Sequence, residues 1–263
     1  LSIKLAIFGS AGRMGRSIIK LAVTDPRFSI VSALESSNSE HLGMDAGTAA
    51  GIGPIGIEIG TEAENFDVII DFSSPDGTKS ALDMALKNKS ALVTGTTALP
   101  QNVIDDLKSA SAEIGIFSAS NFSVGIALCG DLASQAAKRL PSADIEIIEA
   151  HHRNKADAPS GTAMDLAKKI ADSRKLNFEK DIVYCREGKN NLRKPDEIGV
   201  SSLRGGGIIG EHSIVFASPY ETLIIEHRAI SRDVFASGAL DAAEFVTGKT
   251  GYFEINDLLR KQE

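Results

Sequence analysis

The chain has 263 residues, 43% hydrophobic and 24% charged, enough to bury one large core or two modest ones without disulfide staples. Its net charge of −7 argues against nucleic acid as a general partner and makes any cationic pocket for an anionic ligand a local construction. No apolar run approaches the roughly 18 residues that a membrane span needs, and the opening from Leu1 to Gly9 is too short and too quickly punctuated for a signal peptide, so a cytoplasmic protein is expected.

Ile3 to Phe8 is a short apolar strand signal that runs into Gly9-Ser-Ala-Gly-Arg-Met-Gly15, after which Arg16 to Val23 continues with helical spacing. In a strand, glycine turn and helix of this kind, Gly9 permits the tight turn and Gly12 admits a pyrophosphate. Gly15 lets the helix pack closely on the strand. Ser10, Ala11, Arg13 and Met14 complete the expected cofactor loop. The spacing is a variant of the usual dinucleotide fingerprint, and glycines alone are weak evidence. The context strengthens them, because a second strand signal, Phe28 to Leu34, ends at Glu35, where an acid accepts hydrogen bonds from ribose hydroxyls. Glu35 would repel a 2'-phosphate by up to about 4 kcal/mol at an effective dielectric of 20, which leans towards NADH. Ser36 and Ser37 stand where an arginine would favour NADPH, although Arg13 is within reach of a phosphate.

Gly43 to Gly60 reads as a glycine-rich loop with little regular structure. Phe66 to Phe72 is a buried parallel strand by its apolar run, followed by Ser73 to Gly77 and a helix containing Ala81, Leu82, Met84, Ala85 and Leu86. Ala91 to Val93 leads into Thr94-Gly-Thr-Thr97, and Ile114 to Phe117 into Ser118-Ala-Ser-Asn-Phe122. Each polar tip falls at the carboxyl end of a strand, the edge where open parallel sheets bind ligands. Gly95, Thr96, Thr97, Ala119, Ser120, Asn121 and Phe122 are therefore candidates for the nicotinamide half of the site.

Beyond Phe122 the rhythm changes. A long amphipathic helix from about Val124 to Leu140 is stopped by Pro141 and followed by a strand signal, Ile145 to Ala150. Then come His151 and His152, Lys155, and Asp157-Ala-Pro-Ser-Gly-Thr162 opening a helical pattern. Adjacent strand side chains face opposite ways, so one histidine is expected to carry the proton while the other orients or holds substrate. Ser160 resembles an N-cap, and the N–H groups of Gly161 and Thr162 at the positive end of a helix suit a carboxylate or phosphate. No further His or Cys has ligand spacing here, so no metal is expected.

Ile182 to Cys185, Ile198 to Leu203, Glu211 to Phe216 and Thr222 to His227 read as antiparallel strands of an open mixed sheet, with Arg204-Gly-Gly-Gly207 as a flexible joint. His212 and His227 lie in alternating strand patterns and are read as structural. An uncovered sheet of this size invites self-association. A helix from Val234 to Val246 and a tail from Phe253 to Leu259 return to the first domain. Cys129 and Cys185, in apolar surroundings, are read as buried thiols in a reducing compartment, and neither suits a thiol nucleophile.

The fold class is α/β: a Rossmann-type doubly wound parallel sheet domain plus a second α+β domain with an open mixed sheet. The expected boundaries are 1–122 for a dinucleotide-binding domain, completed by 231–263. Residues 123–230 form a substrate-binding, catalytic and oligomerisation domain. Another two-domain dehydrogenase of amino-acid metabolism, or a nucleotide sensor that has lost catalysis, are the rival readings; the second predicts degraded proton-transfer positions, whereas His151 and Lys155 are both present.

Nearly the whole chain resembles the dihydrodipicolinate reductase family, the 4-hydroxy-tetrahydrodipicolinate reductases of bacterial and plant lysine and diaminopimelate synthesis. The resemblance is carried by Gly9 to Gly15, Asp71-Phe-Ser, Gly95-Thr-Thr97, Asn121-Phe-Ser-Val-Gly125, Glu146 to His152 with Lys155 and Asp157 to Thr162, Gly210-Glu-His212, and His227 to Arg232. It implies His151 as general acid/base, Lys155 as proton donor, and His152 with the Gly161-Thr162 turn on the carboxylates of a small cyclic dicarboxylate. It further implies hydride delivery from NADH or NADPH after loss of a hydroxyl as water, and a homotetramer joined through the second domain. Many relatives carry arginine where this chain has Ser36, which leaves dual cofactor use open.

Overall fold

The computed structural model describes residues 2–189 and 191–260. The chain divides into two compact units, Leu1–Val124 with Arg232–Glu263, and Gly125–Ser231.

The first unit is built from β1 (Ile3–Phe8), α1 (Arg13–Ala22), β2 (Phe28–Leu34), α2 (Ala46–Ala50), β3 (Ile59–Gly60), β4 (Val68–Asp71), α3 (Pro75–Asn88), β5 (Ala91–Thr94), α4 (Gln101–Ala110) and β6 (Gly115–Ser118). The central strands β4 and β5 are buried at every position, as expected of strands covered on both faces. Ile7, Ile18, Val68, Ile70 and Val93 pack on one face of the sheet, and Ala6, Ile69, Leu82, Leu92 and Leu107 on the other. Polar residues end the helices at defined points: Ser74 caps α3 by accepting from the Gly77 N–H, with Pro75 just inside.

The second unit contains most of α5 (Val124–Arg139), then β7 (Asp144–His151), α6 (Gly161–Arg174), α7 (Phe178–Asp181), β8 (Ile182–Tyr184), β9 (Ile198–Arg204), β10 (Gly210–Ala217) and β11 (Thr222–Ala229). Its five strands run in the order β11-β10-β7-β9-β8. β10 is antiparallel to both of its neighbours, whereas β7, β9 and β8 are mutually parallel. The sheet is mixed as expected, but β8 and β9 are not antiparallel. Apolar alternation sets which residues share a face and carries no information on strand direction.

The chain then re-enters the first unit through α8 (Asp233–Val246), β12 (Gly251–Phe253) and α9 (Ile255–Arg260). β12 pairs parallel to β6 and completes a seven-stranded, all-parallel sheet of order β12-β6-β5-β4-β1-β2-β3. The order reverses between β1 and β4, the position at which such sheets open a crevice at their carboxyl edge.

Three local expectations need correction. The stretch from Gly43 to Gly60 is ordered: Asp45 caps α2 by accepting from Thr48 N–H at 2.9 Å and also takes the Gly56 N–H at 2.8 Å, so one carboxylate folds the segment back on itself. Arg204 to Gly207 is a docked turn, with Gly205 N–H donating to the His151 carbonyl at 2.9 Å and Arg153 N–H to Gly206 at 3.3 Å. Cys185 is exposed, because β8 ends at Tyr184 and Cys185 turns out of it with a positive φ of 45°; Cys129 is buried. Among the described residues no helix is long and apolar enough to cross a membrane.

Candidate active site

In the first unit, Gly9 has φ of +77°, a left-handed turn that a side chain would strain. A Cβ at Gly15 would lie 2.2 Å from the Gly9 carbonyl, so α1 can start against the turn only because Gly15 has no side chain. Gly12 is the N-cap of α1; no side chain caps that end and no acid lies in the first turn. The backbone N–H groups at the helix start therefore form a cradle suited to phosphate, and the loop fits the pyrophosphate of a dinucleotide. Glu35, at the end of β2, accepts the Ala11 N–H at 2.8 Å, which fixes its carboxylate beside the turn. Arg16 braces the same loop, its Nε donating to the Ala11 carbonyl at 2.7 Å.

The expected cofactor residues share this edge but differ in exposure. Gly12, Arg13, Thr97 and Ser120 are exposed, and Ala11, Met14, Glu35, Gly95, Thr96, Ala119 and Asn121 half-buried. Ser10 and Phe122 are buried, Phe122 with its ring 5.3 Å from Phe72 and 5.8 Å from Phe117, so neither side chain faces the open edge. Beneath them lies Asp71, fully buried at the end of β4. Its carboxylate accepts four hydroxyls: Ser73 at 2.5 Å, Thr78 at 2.6 Å, and Thr94 and Thr96 each at 2.9 Å.

In the second unit, the core face of β7 presents Ile145, Ile147, Glu149 and His151 in succession, so one buried stripe changes from hydrocarbon to ionisable groups towards its carboxyl end. Glu149 Oε2 lies 2.6 Å from His151 Nδ1, and Arg204 forks both Glu149 oxygens at 2.7 Å. The Ser160 N–H reaches Oε1 at 3.1 Å. Burial pushes the Glu149 carboxyl up, but Arg204, His151, the Ser202 hydroxyl and the Ser160 amide outweigh it and hold the carboxyl at about 2. For His151 burial wins over Glu149 and lowers the imidazole below its ordinary value. Arg204 is raised by Glu149.

His151 closes β7 and is buried, whereas His152 lies just beyond the strand and is half-buried. Lys155 Nζ pairs with Asp157 at 2.9 Å, and that ammonium lowers the Asp157 carboxyl. Ser160 is buried and is the N-cap of α6, its hydroxyl accepting the Ala163 N–H at 3.2 Å. The same hydroxyl lies 3.3 Å from His212 Nε2, so the Ser160 side chain is engaged within the protein. Gly161 is exposed and a Cβ there would meet nothing within 4 Å, which leaves open space at the helix start; Thr162 is half-buried. His151, Ser160 and the start of α6 are thus wired together through Glu149.

The sequence reading missed Glu149 and Arg204 and set His212 aside as structural. His212 is buried directly across β10 from Glu149, with its ring edge-on to His151 at 5.3 Å, and burial lowers its imidazole to about 4. Glu149 was signalled by its i, i+2 spacing to His151, which puts both on one strand face. Arg204 had no local signal; only the parallel register of β7 with β9 brings it opposite His151.

The chain matches two family descriptions end to end, "Dihydrodipicolinate reductase, N-terminus" over residues 3–122 and "Dihydrodipicolinate reductase, C-terminus" over residues 125–259. It is 40% identical over 265 residues to a 4-hydroxy-tetrahydrodipicolinate reductase of Alkalilimnicola ehrlichii, covering 98% of this chain and 99% of that protein. Among solved structures it is similar to a dipicolinate-bound dihydrodipicolinate reductase from Paenisporosarcina sp. TG-14, at 25% identity and a TM-score of 0.76, covering 97% of this chain and 98% of the other. A structure described as a "probable dehydrogenase from Thermotoga maritima" shares the fold alone, at 10% identity and a TM-score of 0.61 over 97% of this chain and 92% of the other. With both halves matched and a relative at this identity over its whole length, the chain belongs to the dihydrodipicolinate reductase family.

Proposed function

We infer that the protein is a 4-hydroxy-tetrahydrodipicolinate reductase, an oxidoreductase that converts hydroxylated tetrahydrodipicolinate to tetrahydrodipicolinate with loss of water in the diaminopimelate route to lysine. The observation that carries this reading is the segment from His151 to Thr162, where Glu149 ties a buried proton carrier to an open helix start and an ammonium, paired with Asp157, lies on the loop between them. A bound reduced pyridine nucleotide supplies the hydride.

The first unit holds that cofactor: Gly9, Ser10, Ala11, Gly12, Arg13 and Met14 cradle the pyrophosphate, and Glu35 takes the adenosine ribose. Gly95, Thr96, Thr97, Ala119, Ser120, Asn121 and the backbone of Phe122 line the nicotinamide side. Glu35 is anchored by Ala11 N–H, so its charge stays where a 2'-phosphate would have to sit, and this supports NADH or dual use over a strong NADPH preference.

The second unit holds the substrate, a small cyclic dicarboxylate. His152 and the Gly161 and Thr162 N–H groups bind its carboxylates, and Ser160 shapes that helix start. Lys155 stabilises charge at the ring nitrogen and donates a proton there, exchanging Asp157 for the substrate. His151, neutral at pH 7 by its lowered value, moves the second proton.

The sheet face away from the α5 and α6 core exposes Ile148 at 47%, Leu203 at 51% and Ile224 at 56%, which supports a homotetramer joined through this sheet.

The test is oxidation of NADH and of NADPH with the condensation product of pyruvate and aspartate-semialdehyde. Turnover is expected, with NADH used at least as well as NADPH in kcat/KM. His151→Gln and Lys155→Ala should each lower kcat at least about a hundredfold while dinucleotide affinity persists. Absent turnover with both cofactors defeats the reading, and near-normal turnover in both variants defeats the role assignment.

A further inference from the structure

We propose that Glu149 is a positioning residue for the reaction, holding the imidazole proton of His151 on Nδ1 so that Nε2 is the nitrogen that exchanges protons, with Arg204 setting how strongly it does so. The inference rests on the reading of His151 as the proton carrier and adds the device that makes it one.

An ionised carboxylate only accepts hydrogen bonds. With Glu149 fully buried and Oε2 at 2.6 Å, the ring nitrogen facing it must carry hydrogen, which fixes one tautomer and one ring orientation. A buried carboxylate of purely structural purpose would be satisfied by the Arg204 fork and the Ser160 amide. Here one oxygen is shared between the guanidinium and the ring, while the other is shared between the guanidinium and the start of α6. The ring and the helix start therefore cannot shift independently.

The charged and titratable groups facing His151 come from four directions. Glu149 on its own strand favours the protonated ring; Arg204 from β9 and Lys155 from the following loop oppose it. The fourth is His212 from β10, edge-on at 5.3 Å, whose imidazole burial lowers to about 4. Glu149 is the only one of these within hydrogen-bond distance of the His151 ring among the described residues. Removing its charge must lower the proton affinity of His151, and removing the charge of Arg204 must raise it.

The experiment is the pH profile of kcat/KM for wild type, His151→Gln, Glu149→Gln and Arg204→Gln, with 15N spectra of the histidine rings. The limb that belongs to His151 is the one lost in His151→Gln. In Glu149→Gln it should move down by about one pH unit or more, with kcat lowered at least about tenfold. In Arg204→Gln it should move up. Wild type should show the His151 proton on Nδ1, and Glu149→Gln should shift it towards Nε2. If Glu149→Gln does not fold, Glu149→Gln with Arg204→Met removes both charges together, and the limb should still move down because the contact at 2.6 Å dominates.

A limb that stays in place, or a fall in activity equal at every pH with the tautomer unchanged, overturns the proposal and leaves Glu149 structural. Retention of the limb in His151→Gln defeats instead the assignment of His151, whatever Glu149 does.

Discussion

Among the described residues each unit buries one carboxylate completely, at the carboxyl end of a central strand, and the two are satisfied in opposite ways. Asp71 collects four hydroxyls from β4, β5 and α3 and their loops, and among the described residues no basic side chain pairs with it. Glu149 collects a guanidinium, a ring and a backbone amide besides the Ser202 hydroxyl. Hydroxyls have no accessible charge state, so the partners of Asp71 bring no further titrating group: the cage pins the ends of three elements beneath the cofactor edge. Imidazole titrates in the range where enzymes work, so whatever holds Glu149 is coupled to proton transfer. The same burial thus serves as scaffold in one unit and as chemistry in the other.

The sharpest way to break this contrast is Asp71→Asn. An amide brings N–H donors into a ring of donors, and stability should fall by about 3 kcal/mol, read as a lower urea midpoint with an unchanged slope. The pH profile of the surviving enzyme should keep its limbs; a displaced limb would mean that Asp71 is coupled to proton transfer.

A second test concerns where pH enters stability. His212 has a folded value of about 4 against an ordinary 6.5, so the folded state binds this proton less readily than the unfolded chain. Its contribution is therefore present above pH 6.5 and is lost as pH falls towards 4, with about 2 kcal/mol disappearing between pH 7 and pH 5. His212→Gln should flatten that part of the stability curve; an equally steep curve would place the pH sensitivity elsewhere.

The smallest effect sharpens the comparison at the helix start. Ser160→Ala removes the cap on Ala163 N–H and the hydroxyl beside His212, and should cost about 1 kcal/mol in chemical denaturation. Because the amide of residue 160 still reaches Glu149, the His151 limb should stay near its wild-type position.

Much of the first unit was legible because its signals are local. A strand followed by Gly9 to Gly15 and a helix needs only neighbouring residues, and each polar tip after an apolar run lies at the carboxyl end of a parallel strand, as expected. The second unit was less legible because its site is assembled by register. Glu149, Arg204 and His212 meet only when β9 lies parallel and β10 antiparallel to β7, a choice that alternation of apolar residues does not encode. The same limit turned β8 and β9 the wrong way round. Asp71 was noticed as part of a motif and given no task, since its four hydroxyl partners lie at positions 73, 78, 94 and 96 and their convergence depends on three elements at once. Gly43 to Gly60 looked unstructured because glycines mask a carboxylate, Asp45, that gathers backbone amides around itself.

The pairing of β12 with β6 has a consequence for synthesis. Phe245 of α8 and Phe253 of β12 complete a core that already contains Phe117 on β6, yet both are made only after the whole second unit. While the chain emerges, the β6 edge stays open and its aromatic side uncovered for more than a hundred residues' worth of translation, roughly 5 to 20 seconds at 5 to 20 residues per second. A nascent chain stalled anywhere in that interval presents a bare parallel edge, the feature most prone to pairing with another chain. Emergence of β12, rather than completion of the cofactor loop, is then the moment at which the β6 edge is covered.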